Sequence, residues 1–468
     1  MARVVVWLLI FSLWSAPAGA GWGSLSLSDE AELARKFDLV IETRFPPVQD
    51  TVVLDYVQGL VDRLLAVMPP QPFPVRVTVV EHPALNAFAS PAGRVTVFTG
   101  LIAQLESEDE LASVLAHELA HVSERHVAQG IERSQYLSVG TLIGMLAGAL
   151  LGAGGKSESG QALMLGSVAG ASSLAFKYSR ENERAADQLG FATLVDAGFD
   201  PMAMPRAFTR MRRLQWLGGG GNTPSYLSTH PALEERTTAL EARAREIAAQ
   251  RQPQPSATAS RFALVQTLVR AAFTPPESAK ALFRSQEVRD PCQAALGLGM
   301  ASARLHQTAE AEAGLTRAMA CPQIRPVAAR EMGRLLLSLG RVSQAVEFLR
   351  AAQQGLPGDV TTGVLLAQAF LDLGDAAQAW PLVQPALERF SHDSDLWQLS
   401  GRIEAARGKE SAAHLAFARS FAFARRWEKY AWHLQRAKAL AQTPAERQAI
   451  SHLEAEVEEL QQLVRQLG

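Results

Sequence analysis

Gly340, Gly374 and Gly408 stand 34 residues apart, and five residues after each comes an alanine: Ala345, Ala379 and Ala413. One period earlier Ala311 continues the series, with His306 in the place of the glycine. Two coincident series at this spacing have the tetratricopeptide period. In such a repeat, two antiparallel helices cannot bury their apolar face alone, so each pair stacks on the next. The glycine ends one helix, and the alanine lies where the following helix packs close. The series fails at Arg447, where a fifth alanine would fall. There Ile450, Leu453, Val457, Leu460, Val464 and Leu467 form a 3–4 stripe on an otherwise charged segment. The expectation is a repeat domain over residues 261–445, closed by a capping helix at 446–468.

A chain of 468 residues is long for one core; at roughly 150 residues per domain, two or three are expected. "RQPQPSATAS", residues 251–260, is polar and proline-containing and reads as a linker. Ahead of it, residues 21–250 mix strand and helix signals. Residues 50–67 carry apolar side chains at helical spacing. "FPVRVTVVE" (73–81) alternates and is β-branched, which predicts a strand. "NAFASPAGRVTVFTG" (86–100) gives a short strand, a Pro-Ala-Gly turn and a second strand from Arg94 to Phe98. Ser107 followed by Glu110 then reads as a capping box opening a helix. Helical patterns also run through 176–200 and 229–250. The predicted fold is a mostly helical α+β domain with a small sheet, followed by an all-α solenoid.

Two segments bear on location. "MARVVVWLLIFSLWSAPAGA" (1–20) has a basic start, an apolar stretch too short to span a bilayer, and Ala18-Gly19-Ala20 as a small-x-small cleavage site. This predicts an exported protein whose mature chain begins near Gly21. Residues 134–176 hold two uncharged, glycine-rich runs with Gly140, Gly144, Gly148 and Gly152 at every fourth position. On helices such ridges let two backbones approach closely. A helical hairpin docked on the protein is favoured over a membrane hairpin, so membrane contact is expected to be peripheral and removable with alkaline carbonate. Cys292 and Cys321 are the chain's two cysteines, and export leaves either a disulfide or two buried thiols open. The net charge of −2, from 45 basic and 47 acidic residues, gives no field to draw in nucleic acid.

The chemistry sits in "LASVLAHELAHVSERH", residues 111–126. On a helix His117 and His121 are one turn apart and both imidazoles reach one metal ion. Glu118 lies beside them and reaches a water on that ion as general base. A third protein ligand is still needed. His126 falls on a different helical face and reads as a helix-end histidine. "SRENERAAD" offers Glu183, with Asp187 one turn on to accept the free ring N–H of a motif histidine. Glu181 competes but lacks an acidic residue at the next turn.

"HELAH" followed by "SRENERAAD" resembles the gluzincin metallopeptidases related to the heat-shock protease HtpX and the type 1 CAAX prenyl protease, over about residues 30–250. The resemblance implies one zinc ion per chain, bound by His117, His121 and Glu183, with Glu118 as base. It also suggests a role for His230 of "STHP", as oxyanion support or as a fourth ligand closing the site without substrate. Strand Arg94, Val95, Thr96, Val97, Phe98 is the candidate edge to pair with extended substrate. With the signal peptide and repeats, the chain resembles the periplasmic family members that serve β-barrel assembly. That implies a periplasmic zinc endopeptidase acting on unfolded or misfolded envelope proteins, with the β-barrel assembly machinery as partner of the repeats. A second implication is a repeat-based chaperone or assembly factor whose peptidase site is normally closed. In either case the repeats are expected to present a concave groove beside the catalytic cleft.

Overall fold

A three-stranded sheet under a layer of helices organises the first half of the chain, in a computed structural model that describes residues 25–133, 178–217, 226, 230, 233–250 and 259–467. Residues 1–20, expected to be a signal peptide, the glycine-rich stretch 134–176 and residues 251–258 of the expected linker lie outside the described residues. Helices α1 (Leu27–Arg44) and α2 (Thr51–Leu65) precede strands β1 (Arg76–Val80), β2 (Ala87–Ser90) and β3 (Arg94–Phe98). Then come α3 (Thr99–Gln104), α4 (Glu108–Ser123), α5 (His126–Arg133), α6 (Arg180–Asp196), α7 (Ala203–Leu217) and α8 (Leu233–Ala248). Among the described residues, no helix is long and apolar enough to cross a membrane.

The sheet order corrects one expectation. β3 is central: it pairs parallel with β1 and antiparallel with β2. Its backbone donors and acceptors are engaged on both sides, so Arg94 to Phe98 cannot take up substrate as an edge. β-Branched alternation reports burial in a sheet, and the central strand is the more buried one. The outer side of β1 is partly covered by Pro47, which bridges to Val80. The other edge belongs to β2, a short buried strand, Ala-Phe-Ala-Ser, beside α4.

Helix α4 starts at Ser107, whose hydroxyl accepts from the Glu110 amide at 3.2 Å. The box is only half formed: the Glu110 carboxylate turns to the Glu106 amide and to Arg210 instead. Leu111, Leu115 and Leu119 bury one side of α4 in the core, against α2 among others.

From Ala259 onward the described chain is a helical solenoid. Its pairs include α11 (Pro291–Arg304) with α12 (Thr308–Met319), α13 (Arg325–Ser338) with α14 (Val342–Gly355), and α15 (Val360–Asp372) with α16 (Ala376–Arg389); α9 (Ala259–Phe273) and α10 (Pro276–Gln286) precede them. The 34-residue series marks the turn inside each pair. Gly340, Gly374 and Gly408 have φ of 70°, 81° and 75°, and His306 takes the same left-handed turn at 58°. Ala311, Ala345 and Ala379 are fully buried. The final helix, α20 (Pro444–Leu467), follows α17 (Ser394–Ala406), α18 (Glu410–Phe423) and α19 (Trp427–Leu440). It seals the stack with Ile450, Leu453 and Val457. Cys292 and Cys321 are joined in a disulfide that ties the start of α11 to the residue range just after α12.

The solenoid closes on the first half of the chain. One apolar core contains Val53 and Leu60 of α2 together with Phe262, Leu268 and Leu335. The Gln266 amide donates to the Ile102 and Leu105 carbonyls, and Arg330, fully buried, ion-pairs with Asp50 at the N-terminus of α2. A cleft of about 500 Å³ remains between the solenoid and α2, lined by Val53, Phe273, Met300, Leu335 and Val364 among others. None of the candidate site residues lines it, so this hollow is not the groove beside the cleft that the repeats led us to expect.

Candidate metal centre

Residues His117 and His121 lie one turn apart on α4 and project to the same side, with Nε2 atoms 3.0 Å apart. Helix α6 crosses α4 closely because Gly190 faces it: a Cβ there would sit 3.0 Å from the His117 Cα and the Ala116 carbonyl. Two turns before Gly190, on the same face, Glu183 is delivered to the histidines. Its Oε1 lies 3.3 Å from His121 Nε2 and 2.9 Å from His230 Nδ1. His230 Nδ1 is in turn 3.4 Å from His117 Nε2.

These four residues are fully buried, and one ligand atom from each lies within 4.8 Å of all the others. With each ring in the tautomer that turns its lone pair inward, three imidazole nitrogens and a carboxylate oxygen this close in a buried site repel one another. A cation between them resolves that repulsion. Bond lengths of 2.0–2.1 Å in a tetrahedral site set ligand atoms about 3.3 Å apart, close to the spacings seen here. Burial holds the His121 imidazole well below its ordinary pKa, which keeps the ring neutral and its lone pair free. The donor set therefore fits a metal ion.

Around it, outer contacts fix each ring. His117 Nδ1 is 3.1 Å from Asp187 Oδ1. His121 Nδ1 is 2.9 Å from His126 Nδ1, so His126 meets the site from behind a ligand candidate and stays outside the four-residue cluster. Tyr178 stacks on His121 with ring centres 3.8 Å apart, and Tyr226 stacks on His230 at 4.0 Å. Burial, then the Glu118 charge, push both phenols well above their ordinary pKa, so they stay protonated.

Glu118 is buried beside the cluster. Its Oε2 accepts the Ala89 amide of β2 at 3.0 Å. Oε1 has no hydrogen-bond partner among the described residues and lies 3.6 Å from His230 Nε2. Burial pushes its carboxyl up, while His230 and His117 pull it back. A carboxylate anchored through one oxygen, with the other aimed into the site, is built to accept a proton.

The structure thus brings together His117, His121, Glu183 and His230, with Glu118 and Asp187 against them. Glu181 is exposed and outside the cluster. Arg94 to Phe98 lie in the sheet's middle. Sequence reading passed over Tyr178, Tyr226 and Arg236. Arg236 is buried, with Nε and Nη2 each 2.7 Å from the Asp187 carboxylate and Nη1 paired with Glu183. Its one signal is an arginine within two turns of His230 in "THPALEER", where a solvated helix position reads equally well.

Residues 51–244 match the model of Peptidase family M48. The chain is 31% identical over 240 residues to the beta-barrel assembly-enhancing protease of Yersinia pestis, covering 51% of this chain and 48% of that protein. It is 26% identical over 460 residues to the beta-barrel assembly-enhancing protease of Escherichia coli K12, covering 95% and 91%. The mitochondrial metalloendopeptidase OMA1 of Arabidopsis thaliana is 34% identical over 166 residues, 35% of this chain and 30% of that one. At above 30% identity, then, the chain spans about half the length, or less, of these curated relatives. The histidine pair of α4, the glutamate of α6 and the fold that joins them all fall within residues 51–244, the segment that matches Peptidase family M48.

Proposed function

We propose that this protein is a zinc-dependent endopeptidase. The observation that carries the reading is the convergence of His117, His121, Glu183 and His230 on one point, with the free oxygen of Glu118 beside it. His117, His121 and Glu183 hold one zinc ion per chain. When bound, that ion supplies Lewis acidity, polarising the scissile carbonyl and bringing the pKa of a water towards neutral. Glu118 takes the proton of the attacking water on Oε1 and returns it to the leaving amine. The Ala89 amide keeps the carboxylate turned the right way. Extended substrate backbone lies along the outer edge of β2, which no strand pairs with among the described residues, in place of the central strand β3.

Export and the repeats give the context. The chain works in the periplasm on unfolded or misfolded envelope proteins, and its solenoid contacts the machinery that assembles outer-membrane β-barrels. The names of the relatives support the assembly setting. One observation favours a closed resting state: His230 Nδ1 stands among the ligand atoms, where a hydrolytic site needs room for water. In that state the protein serves as a repeat-based assembly factor, and proteolysis waits for His230 to withdraw.

Metal analysis tests the proposal. The wild type is expected to carry one zinc ion per chain, and Glu183→Ala to lose it while keeping its helix content. Full zinc occupancy in Glu183→Ala would remove Glu183 from the site.

A further inference from the structure

Arg236 makes contacts that the peptidase reading does not use. It sits near the start of α8, six residues after His230, with 5% of its surface exposed. Its guanidinium lies over the Phe208 ring at 5.2 Å, and Phe208 in turn stands edge-on to His117 at 5.8 Å. One side of the fork closes on both oxygens of Asp187, at 2.7 Å each. The remaining nitrogen, Nη1, pairs with Oε2 of Glu183. The two oxygens of Glu183 have different partners: Oε1 faces His121 and His230, while Oε2 pairs with Arg236 and stands farther, 3.7 Å, from His117 Nε2.

A carboxylate beside a zinc-sized ion can bind through one oxygen or through both. Which it does sets whether the site is four-coordinate or more. A cation lodged on the far oxygen decides the matter, because that oxygen cannot turn to the ion without leaving a buried guanidinium short of a partner. The same guanidinium fixes Asp187, whose Oδ1 is the atom beside His117 Nδ1. One side chain thus sets the orientation of a ligand carboxylate and of a ligand imidazole.

We propose that Arg236 is a positioning residue that restricts Glu183 to one-oxygen metal binding and orients His117 through Asp187. The inference rests on the metallopeptidase reading. Lysine keeps the charge but has no fork, so it can serve Glu183 or Asp187 but not both with this geometry. That separates positioning from mere charge balance.

The test uses the full chain stripped of metal and reloaded with Co²⁺, whose visible absorption is intense when four-coordinate and weak when more ligands bind. Wild type, Arg236→Lys and Arg236→Ala are compared by Co²⁺ titration, absorption spectrum and circular dichroism. Arg236→Lys is expected to stay folded, bind Co²⁺ about 10-fold or more weakly, and show a weaker visible band. Arg236→Ala serves as a second variant if the lysine finds an alternative pose. A folded Arg236→Lys with wild-type affinity and spectrum would overturn the inference while leaving the metal site intact. Wild-type protein that takes up no Co²⁺ would overturn the metallopeptidase reading, and this inference with it.

Discussion

His230 Nδ1 lies 2.9 Å from Glu183 Oε1 and 3.4 Å from His117 Nε2, inside the ligand set of the candidate metal centre. Its Tyr226 partner stacks on the outer face of the ring and backs that position. A fourth protein ligand leaves no room for the water that Glu118 would deprotonate. Replacing His230 with alanine opens the position while His117, His121 and Glu183 remain. His230→Ala is expected to keep one zinc per chain, to hold it less tightly, and to cleave unfolded casein faster than wild type. A rate below wild type with zinc retained would mean that His230 supports the transition state.

A second outcome concerns the join between solenoid and peptidase. Arg330 is fully buried and faces Asp50, Glu331 and Asp359, while Thr51 bonds to Asp359 and Thr361. Removing one member of such a buried ion group costs about 3–5 kcal/mol. Arg330→Ala is expected to lower the melting temperature at pH 7 accordingly.

The same cluster sets an acid limit. Burial opposes the charged forms of Glu331 and Asp359, but the charges of Arg334 and Arg330 on Glu331, and the charge of Arg330 with hydrogen bonds from Thr362 and Thr51 on Asp359, together outweigh it and hold both carboxyls below their ordinary values. A depressed pKa stabilises the fold above the unfolded-state value, about 4, and that contribution is lost as pH falls through the folded-state value. Without Arg330 the carboxyls are buried with less compensation and their pKa rises, so acidification favours the folded variant. The stability gap between wild type and Arg330→Ala is therefore expected to narrow from pH 7 to pH 5. Denaturant titration at both pH values reads this directly, and a gap that widens would contradict it.

The disulfide gives a third outcome. Cys292 and Cys321 are 29 residues apart, and closing a loop of that length is worth about 3–4 kcal/mol in the chain-entropy account. Cys292→Ser is expected to lower the urea midpoint by an amount matching that loss, and reductant to lower the wild-type midpoint to the same value. Equal midpoints with and without reductant would show that the bridge adds nothing.

Local pattern made much of this legible. The 34-residue series located the turns of the solenoid, even at His306, where a left-handed backbone stands without glycine. The histidine spacing in "HELAH" and the Glu183/Asp187 spacing on α6 each describe one face of one helix, so sequence distance translates directly into space. Pairings between distant segments were out of reach. β3 looked like an edge because alternation tells which face is buried, not which neighbours a strand has. Arg236 carries no local signal of its contacts because its partners, Glu183 and Asp187, lie some 50 positions earlier. The polar linker marks a boundary in sequence only: Val53 and Leu335, on either side of it, share one core, a contact that no local pattern records.

The most direct measurement is zinc content together with casein cleavage for Glu118→Gln. The amide fills the same space and leaves His117, His121 and Glu183 in place, but it cannot accept the water's proton. The expected result is one zinc per chain with cleavage reduced roughly 100-fold or more. Full zinc with cleavage within about tenfold of wild type would place the base elsewhere and contradict the account.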